Sequence, residues 1–324
     1  MRKAFIIFIT VLALCGLAAA ASGELARVTE PPTETLYIAA GFKYALLDDG
    51  TAEITEYIGT ESTVVMPKAL DGHTVSAVRR NPFLKMPYGD DSVSGNRDVT
   101  VMVELDHPCL ATIGGVLFNK ITREILYYPK GGTDTVYEIP NGIRSIAMGA
   151  FYACENLSAV VIPDSVTRIG NRAFSFCRGL TDITIPDRVT CIEDWTFYGC
   201  KALTRAEIPG SVERIGAYCF SDCDALTDVI IPEGVISIGE YAFEGCKGLR
   251  TVTFPESLIS IENAAFHVYS HGTYTYVPNR DIIFTVIAGS FAEQYCIDQG
   301  MQYCHEDSYD TTDAVFGDDD SWLD

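Results

Sequence analysis

The sequence predicts an α/β repeat fold: a solenoid with one parallel β-ladder, short helical or 3₁₀ segments on its other side, and a cap at each end. The first observation is proline at Pro140, Pro163, Pro186, Pro209, Pro232 and Pro255, each 23 residues after the last. The second is that four other residue types keep the same period. Phenylalanine recurs from Phe151 to Phe266, isoleucine from Ile146 to Ile261, leucine from Leu157 to Leu249 and cysteine from Cys154 to Cys246. The third is the unit's length. Twenty-three residues cannot close a core alone, so each unit must bury its apolar side on its neighbours.

One unit, Leu157 to Gly179, shows how the chain turns. Val160 and Ile162 stand two apart and point to one face of a strand. Pro163 removes a ladder donor and ends that strand. Val166 and Ile169 turn the chain inward, Ala173 and Phe174 fall on the helical or 3₁₀ segment, and Cys177 and Leu180 lead to the next strand. Upstream copies are degenerate. Val64-Val65-Met66-Pro67 reads as a strand end, and Val78 with Phe83 and Ile113 with Phe118 keep the Ile-to-Phe spacing. Leu70 to Thr74 reads as an insertion, Met86 to Asp98 as a loop, and Ile125 to Pro129 and Val136 to Pro140 as further strands.

The two ends differ from the middle. Phe42 to Leu47 and Thr51 to Tyr57 flank Asp48-Asp49-Gly50, a hairpin signal read as the N-terminal cap. Near the other end Pro278 stays in register, but the best strand is Ile282 to Ile287, so an insertion is expected. Ser290 to Glu293 then forms a capping box that opens a short helix, and Gly300 stops it. The resulting division is a leader over 1–21, a linker over 22–40, a hairpin cap over 41–62, the solenoid over 63–288 with regular repeats over 134–266, a C-terminal cap over 289–304 and an acidic tail over 305–324.

The opening Leu157-x-x-Val160-x-Ile162 has the spacing of leucine-rich repeats. The longer run from Ile162 to Leu180, repeated from Ile231 to Leu249, resembles the BspA-like leucine-rich-repeat family of bacterial surface proteins. The likeness spans about Asp134 to Phe266, with weaker copies on both sides, and the run from Ala288 to Cys296 resembles that family's C-terminal cap. The resemblance implies a right-handed solenoid used for adhesion or recognition. It brings no catalytic residues with it.

Composition narrows the partners. With 23 Lys and Arg against 44 Asp and Glu, the formal charge is -21, a surface that repels nucleic acid and anionic lipid. Eight of the acids fall between His305 and Asp324, where no Lys or Arg occurs, so this segment reads as a solvated tail. Calcium binding there is the alternative, but the Gly and Glu spacing of a calcium loop is missing. Arg2 and Lys3, the apolar stretch Ala4 to Leu17 and the alanines Ala18 to Ala21 read as an export signal, and no later segment could span a bilayer. Acylation at Cys15 is the second reading, opposed by Leu14 just before it.

The cysteines from Cys154 to Cys246 hold one repeat position inside an apolar pattern. Stacked equivalents have parallel Cβ vectors, poor geometry for disulfides, so they are read as buried free thiols. Cys296 and Cys304 flank the cap helix and could form a bridge, and Cys191 reads as exposed. His267 and His271 have metal-ligand spacing on a helix face but no third ligand, so the histidines are read as surface residues and no metal or cofactor is expected. No nucleophile elbow, zinc motif or phosphate loop appears.

The strand face remains. Counting back from each proline, the second and fourth residues point away from the core. They form a mixed stripe in which Asp182, Arg205, Glu207 and Asp228 occupy three adjacent rungs. Arg205 has an acid on either side at its own ladder position and could be neutralised by them. The stripe reads either as a protein-binding surface or as a solvated sheet face. Three functions follow: recognition or adhesion at the cell surface, a structural spacer of the cell envelope, or an enzyme with its site in the irregular 84–110 or 267–281 stretches. An apolar-rimmed patch favours the first, a uniformly polar face the second, and a pocket with converging His, Asp or Cys the third.

Overall fold

A computed structural model describes residues 35–84, 98–270 and 275–306. The leader over 1–21, Cys15, most of the 22–40 segment, the loop at 86–97, His271 and the tail beyond Glu306 lie outside the described residues. The chain is a β-solenoid of about ten turns with little helix.

Each regular unit begins with a three-residue strand whose middle residue faces inward. Ala159–Val161, Asp182–Thr184 and Arg205–Glu207 are such strands. Tyr137, Val160, Ile183, Ala206, Val229 and Val252 hold the inward position. After the proline the chain runs past a buried valine into a two-residue strand. Arg168–Ile169, Cys191–Ile192, Arg214–Ile215 and Ser237–Ile238 pair in parallel, their isoleucines fully buried.

Two parallel ladders therefore exist where one was expected. The second ladder runs unbroken from Glu124–Tyr127 to Ser260–Ile261, seven parallel strands of a nine-stranded sheet whose other two strands pair antiparallel. The expected helical or 3₁₀ segments are absent among the described residues of these units. In their place are turns with two left-handed positions per unit, which flank the ladder Phe. Arg172, Trp195, Tyr218 and Tyr241 take the first, with φ of 55°, 62°, 54° and 56°. Phe176, Gly199, Asp222 and Gly245 take the second. Helical turns cannot continue through such residues. The freed amides bond to the next unit instead, as from Phe174 N–H to Thr196 O at 2.9 Å and from Phe197 N–H to Cys219 O at 2.8 Å.

The core is a set of columns. Phe151, Phe174, Phe197, Phe220, Phe243 and Phe266 are buried and stack at centroid distances of 4.9 to 5.5 Å. Tyr128 extends the column at the same period and stacks on Phe151 at 5.1 Å. The ladder cysteines are buried and free. Each donates its thiol proton to the carbonyl of the aromatic residue 26 positions earlier: Cys177 to Phe151 at 3.0 Å, Cys200 to Phe174 at 3.2 Å, Cys223 to Phe197 at 3.3 Å. This bond gives cysteine a use that alanine or valine would not have. Burial pushes these thiols up, Cys177 to about 12.

The ends are irregular. Leu36–Ala39 pairs antiparallel with Phe42–Leu46, which pairs with Ala52–Tyr57. Residues 36–39 are thus strand, not linker, and the Tyr37 ring stacks on Tyr44 at 5.4 Å. Leu110–Ile113 and Val116–Asn119 form a hairpin, so the Ile113 to Phe118 spacing is not a repeat turn. Gly114 and Gly115 both have positive φ, as a two-residue hairpin turn requires. His267–Ser270 and Thr275–Pro278 form a second hairpin, and Ile283–Val286 returns to the ladder. The helix Phe291–Gln299 starts at Ser290, whose hydroxyl accepts from Glu293 N–H, and ends at Gly300 in left-handed conformation. A last strand, Gln302–His305, pairs with Ile283–Val286, so His305 belongs to the sheet and not to the tail.

Candidate functional site

The first ladder is broken at one point, and the break falls among the four residues singled out on the strand face. Val136–Glu138, Ala159–Val161, Asp182–Thr184 and Arg205–Glu207 form one four-stranded sheet. Asp228–Ile230, Thr251–Thr253, Ile283–Val286 and Gln302–His305 form another. On most other rungs of this face an amide just after the strand bonds to the next rung, as from Ile185 to Glu207 O at 3.1 Å and from Ile231 to Thr253 O at 2.9 Å, though Ile162 makes no such bond among the described residues. Likewise Thr204 N–H reaches Thr181 O at 2.9 Å and Arg250 N–H reaches Thr227 O at 2.8 Å. The equivalent bonds from Ile208 and Thr227 across the break are not made among the described residues.

The inward residue of the rung before the break is Ala206, where neighbouring rungs carry Ile183 and Val229. Both neighbours are buried, while Ala206 is half-buried. A methyl group leaves this rung with less apolar area to hold it in register. Over the break lies an open depression of about 480 Å³, lined by Arg205, Ala206, Glu207, Asp228 and Ile230 among others. Asp182 is not in the lining but is Arg205's register partner.

The charges pair differently from the expected cross-rung arrangement. Arg205 Nη2 contacts Glu207 Oε1 on its own strand at 2.7 Å, because residues two apart share a face. Glu207 also accepts from Thr184 Oγ1 at 2.8 Å. Asp182 accepts from Thr181 Oγ1 at 2.8 Å. Asp228 accepts from Thr227 Oγ1 at 2.7 Å and from Thr251 Oγ1, and these two bonds hold its carboxyl below the usual range. Arg205 is thus not neutralised by Asp182 and Asp228. Ile230 is 70 % exposed beside these charges, with Val161 at 53 % and Val136 at 52 % further along the face. The stripe combines apolar and charged side chains.

Sequence reasoning named Arg205, Glu207 and Asp228 and missed Ala206. The available signal was the single small residue in the inward column. The histidine reading also needs correction, since His107 and His267 are buried. His107 Nδ1 accepts from the amides of Cys109 and Leu110 at 3.3 and 3.2 Å while Nε2 faces Pro67 O at 2.9 Å, so the ring braces a turn. His267 lies on a strand. Among the described residues no three of His, Cys, Asp and Glu are grouped to hold a metal, and no helix is long and apolar enough to cross a membrane.

Six copies of the BspA type leucine-rich-repeat region match residues 136–280. Residues 136–280 are a BspA-type leucine-rich-repeat array. No curated protein matches the chain. Among solved structures, a leucine-rich repeat protein from Eubacterium ventriosum is 25% identical, with a TM-score of 0.52 over 61% of this chain and 50% of that one. The pneumococcal vaccine antigen PcpA is 19% identical, with a TM-score of 0.57 over 76% of this chain and 56% of its own. The second likeness is one of fold. The chain spans about half the length of each.

Proposed function

We propose that this leucine-rich-repeat chain is an exported, non-catalytic recognition protein that binds a protein partner on its strand face at the cell surface. The observation that carries the reading is the depression at the ladder break, which Arg205, Glu207 and Asp228 line together with exposed Ile230. Exposed apolar side chains among charged ones suit a protein-binding patch. Repeat solenoids commonly bind on such surfaces. Export is supported by the positive start, apolar run and small residues of the first 21 positions. A cell-surface location agrees with the vaccine antigen among its structural neighbours. The antiparallel strands before Tyr57 and the helix Phe291–Gln299 serve as end caps in this reading, covering the open ends of the stack.

The partner offers basic groups, given the formal charge of -21, and its association slows with salt. The test begins with a binding screen of the full chain against extracellular-matrix and cell-surface proteins. Asp182→Lys combined with Asp228→Lys then weakens binding to the partner found, while the melting temperature stays nearly unchanged. Unchanged affinity in the double variant removes the site from the strand face.

A further inference from the structure

A second concavity, of about 380 Å³, lies where the N-terminal sheet meets the second ladder. Its lining brings together four cations, Lys43, Arg79, Arg80 and Arg168, with the carboxylates of Glu56 and Glu124. In a chain whose acids outnumber its cations by 44 to 23, such a grouping goes against the composition.

The four cations are not equally engaged. Lys43 Nζ contacts Glu56 Oε2 at 2.8 Å. Arg79 Nη2 contacts Glu53 Oε2 at 2.5 Å. Arg168 lies near Glu124, but its one ion pair is with Glu193 at 4.0 Å and its side chain is 68 % exposed. Arg80 is half-buried and makes neither a hydrogen bond nor an ion pair with any described residue. A guanidinium carries five N–H donors in a rigid plane and stays charged at every pH a protein survives. Half-burying it without an acceptor is unfavourable, and acids are plentiful elsewhere in this chain. A planar donor fork in a concavity matches the oxygens of a carboxylate or a phosphate two at a time.

We propose that this concavity is a binding site for a small oxyanion, a phosphate or carboxylate group seated between Arg80 and Arg168. Lys43 and Arg79 contribute field rather than contact, since each already holds a carboxylate. The site uses none of the strand-face residues, so it stands or falls apart from the protein-binding reading.

Calorimetric titration of the full chain with inorganic phosphate and with succinate tests it, at constant ionic strength set with sodium chloride. One saturable site is expected for at least one of the two, and which one binds tells a tetrahedral oxyanion from a planar one. Arg80→Ala and Arg168→Ala each weaken that binding by about tenfold or more. Arg80→Lys keeps the charge, loses the fork and is intermediate. Arg80 makes no hydrogen bond or ion pair with any described residue and Arg168 is largely exposed, so these variants keep the parent's melting temperature, measured alongside. Arg178→Ala, a cation outside the lining, leaves the affinity unchanged. No saturation by either anion up to about 10 mM overturns the proposal, as does saturable binding that survives both Arg80→Ala and Arg168→Ala.

Discussion

Ala206→Val tests the origin of the ladder break. The substitution adds two carbons at an inward position flanked by buried Ile183 and Val229. At about 0.8 kcal/mol per buried carbon, full burial is worth roughly 1.5 kcal/mol. If the rung then closes on Asp228–Ile230, the amides of Ile208 and Thr227 gain carbonyl partners, as Ile185 and Arg250 have on other rungs. Two such bonds add about 1 kcal/mol each. Valine also suits a strand better than alanine. The expected gain is about 3.5 kcal/mol with the ladder closed, whereas burial of the side chain alone would give only about 1.5 kcal/mol. Urea denaturation measures the total, and hydrogen exchange at Ile208 and Thr227 separates the cases. Closure slows both amides and diminishes the depression that Arg205, Glu207 and Asp228 line. A loss of stability, or a gain without slowed exchange, refutes the reasoning. Either result would mean that side-chain volume at position 206 does not set the spacing of these rungs.

Phe197→Ala removes a fully buried ring stacked on Phe174 at 5.5 Å and on Phe220 at 5.2 Å. It should cost about 3–5 kcal/mol in chemical denaturation, and a loss under 1 kcal/mol would mean the column is not the core. The ladder thiols should resist labelling until the protein unfolds, and they should weaken it in alkali. Cys177 has a folded pKa of about 12, above an ordinary value near 9. Its contribution is therefore complete below about pH 9 and is lost as pH rises towards 12, by about 1.4 kcal/mol per pH unit in that window. Cys177→Ala should make the alkaline fall in stability shallower, and an unchanged slope would argue against a buried neutral thiol.

The repeat was legible because five residue types mark one period, and the structure buries those phenylalanines and cysteines together with the isoleucines from Ile146 to Ile238. The second ladder was not legible. Its strands, such as Arg214–Ile215, are two residues long, too short for alternation to appear. The left-handed turns were only partly marked, by Gly199 and Gly245 at the second position. Arg172, Trp195, Tyr218 and Tyr241 hold positions where glycine would have announced a positive φ. What compensates them is stacking: Trp195 on Tyr218 at 4.1 Å, Tyr218 on Tyr241 at 4.8 Å, and the Arg172 guanidinium over the Trp195 ring at 4.6 Å. At the candidate site the outward direction of Asp182, Arg205, Glu207 and Asp228 followed from alternation. Their pairing did not, since a ladder allows contacts along a strand as well as across it. Arg80 lay in no motif, and only the meeting of sheet and solenoid gives it a setting.

The hydrogen bonds between units have one further property. In the regular array they link residues the same number of positions apart, as Phe174 to Thr196 and Phe197 to Cys219 do. Excising Asp187 to Pro209 would therefore bring Pro186 against Gly210 with each remaining donor opposite an acceptor of the same kind. Thr184 would meet Ile230 as it now meets Glu207. Neither terminal segment would register the change, because each touches its neighbouring unit and not the total. The length of this part of the molecule is a count, free to rise or fall by whole units. Any partner that spans several rungs measures that count as a distance, in steps of about 4.8 Å.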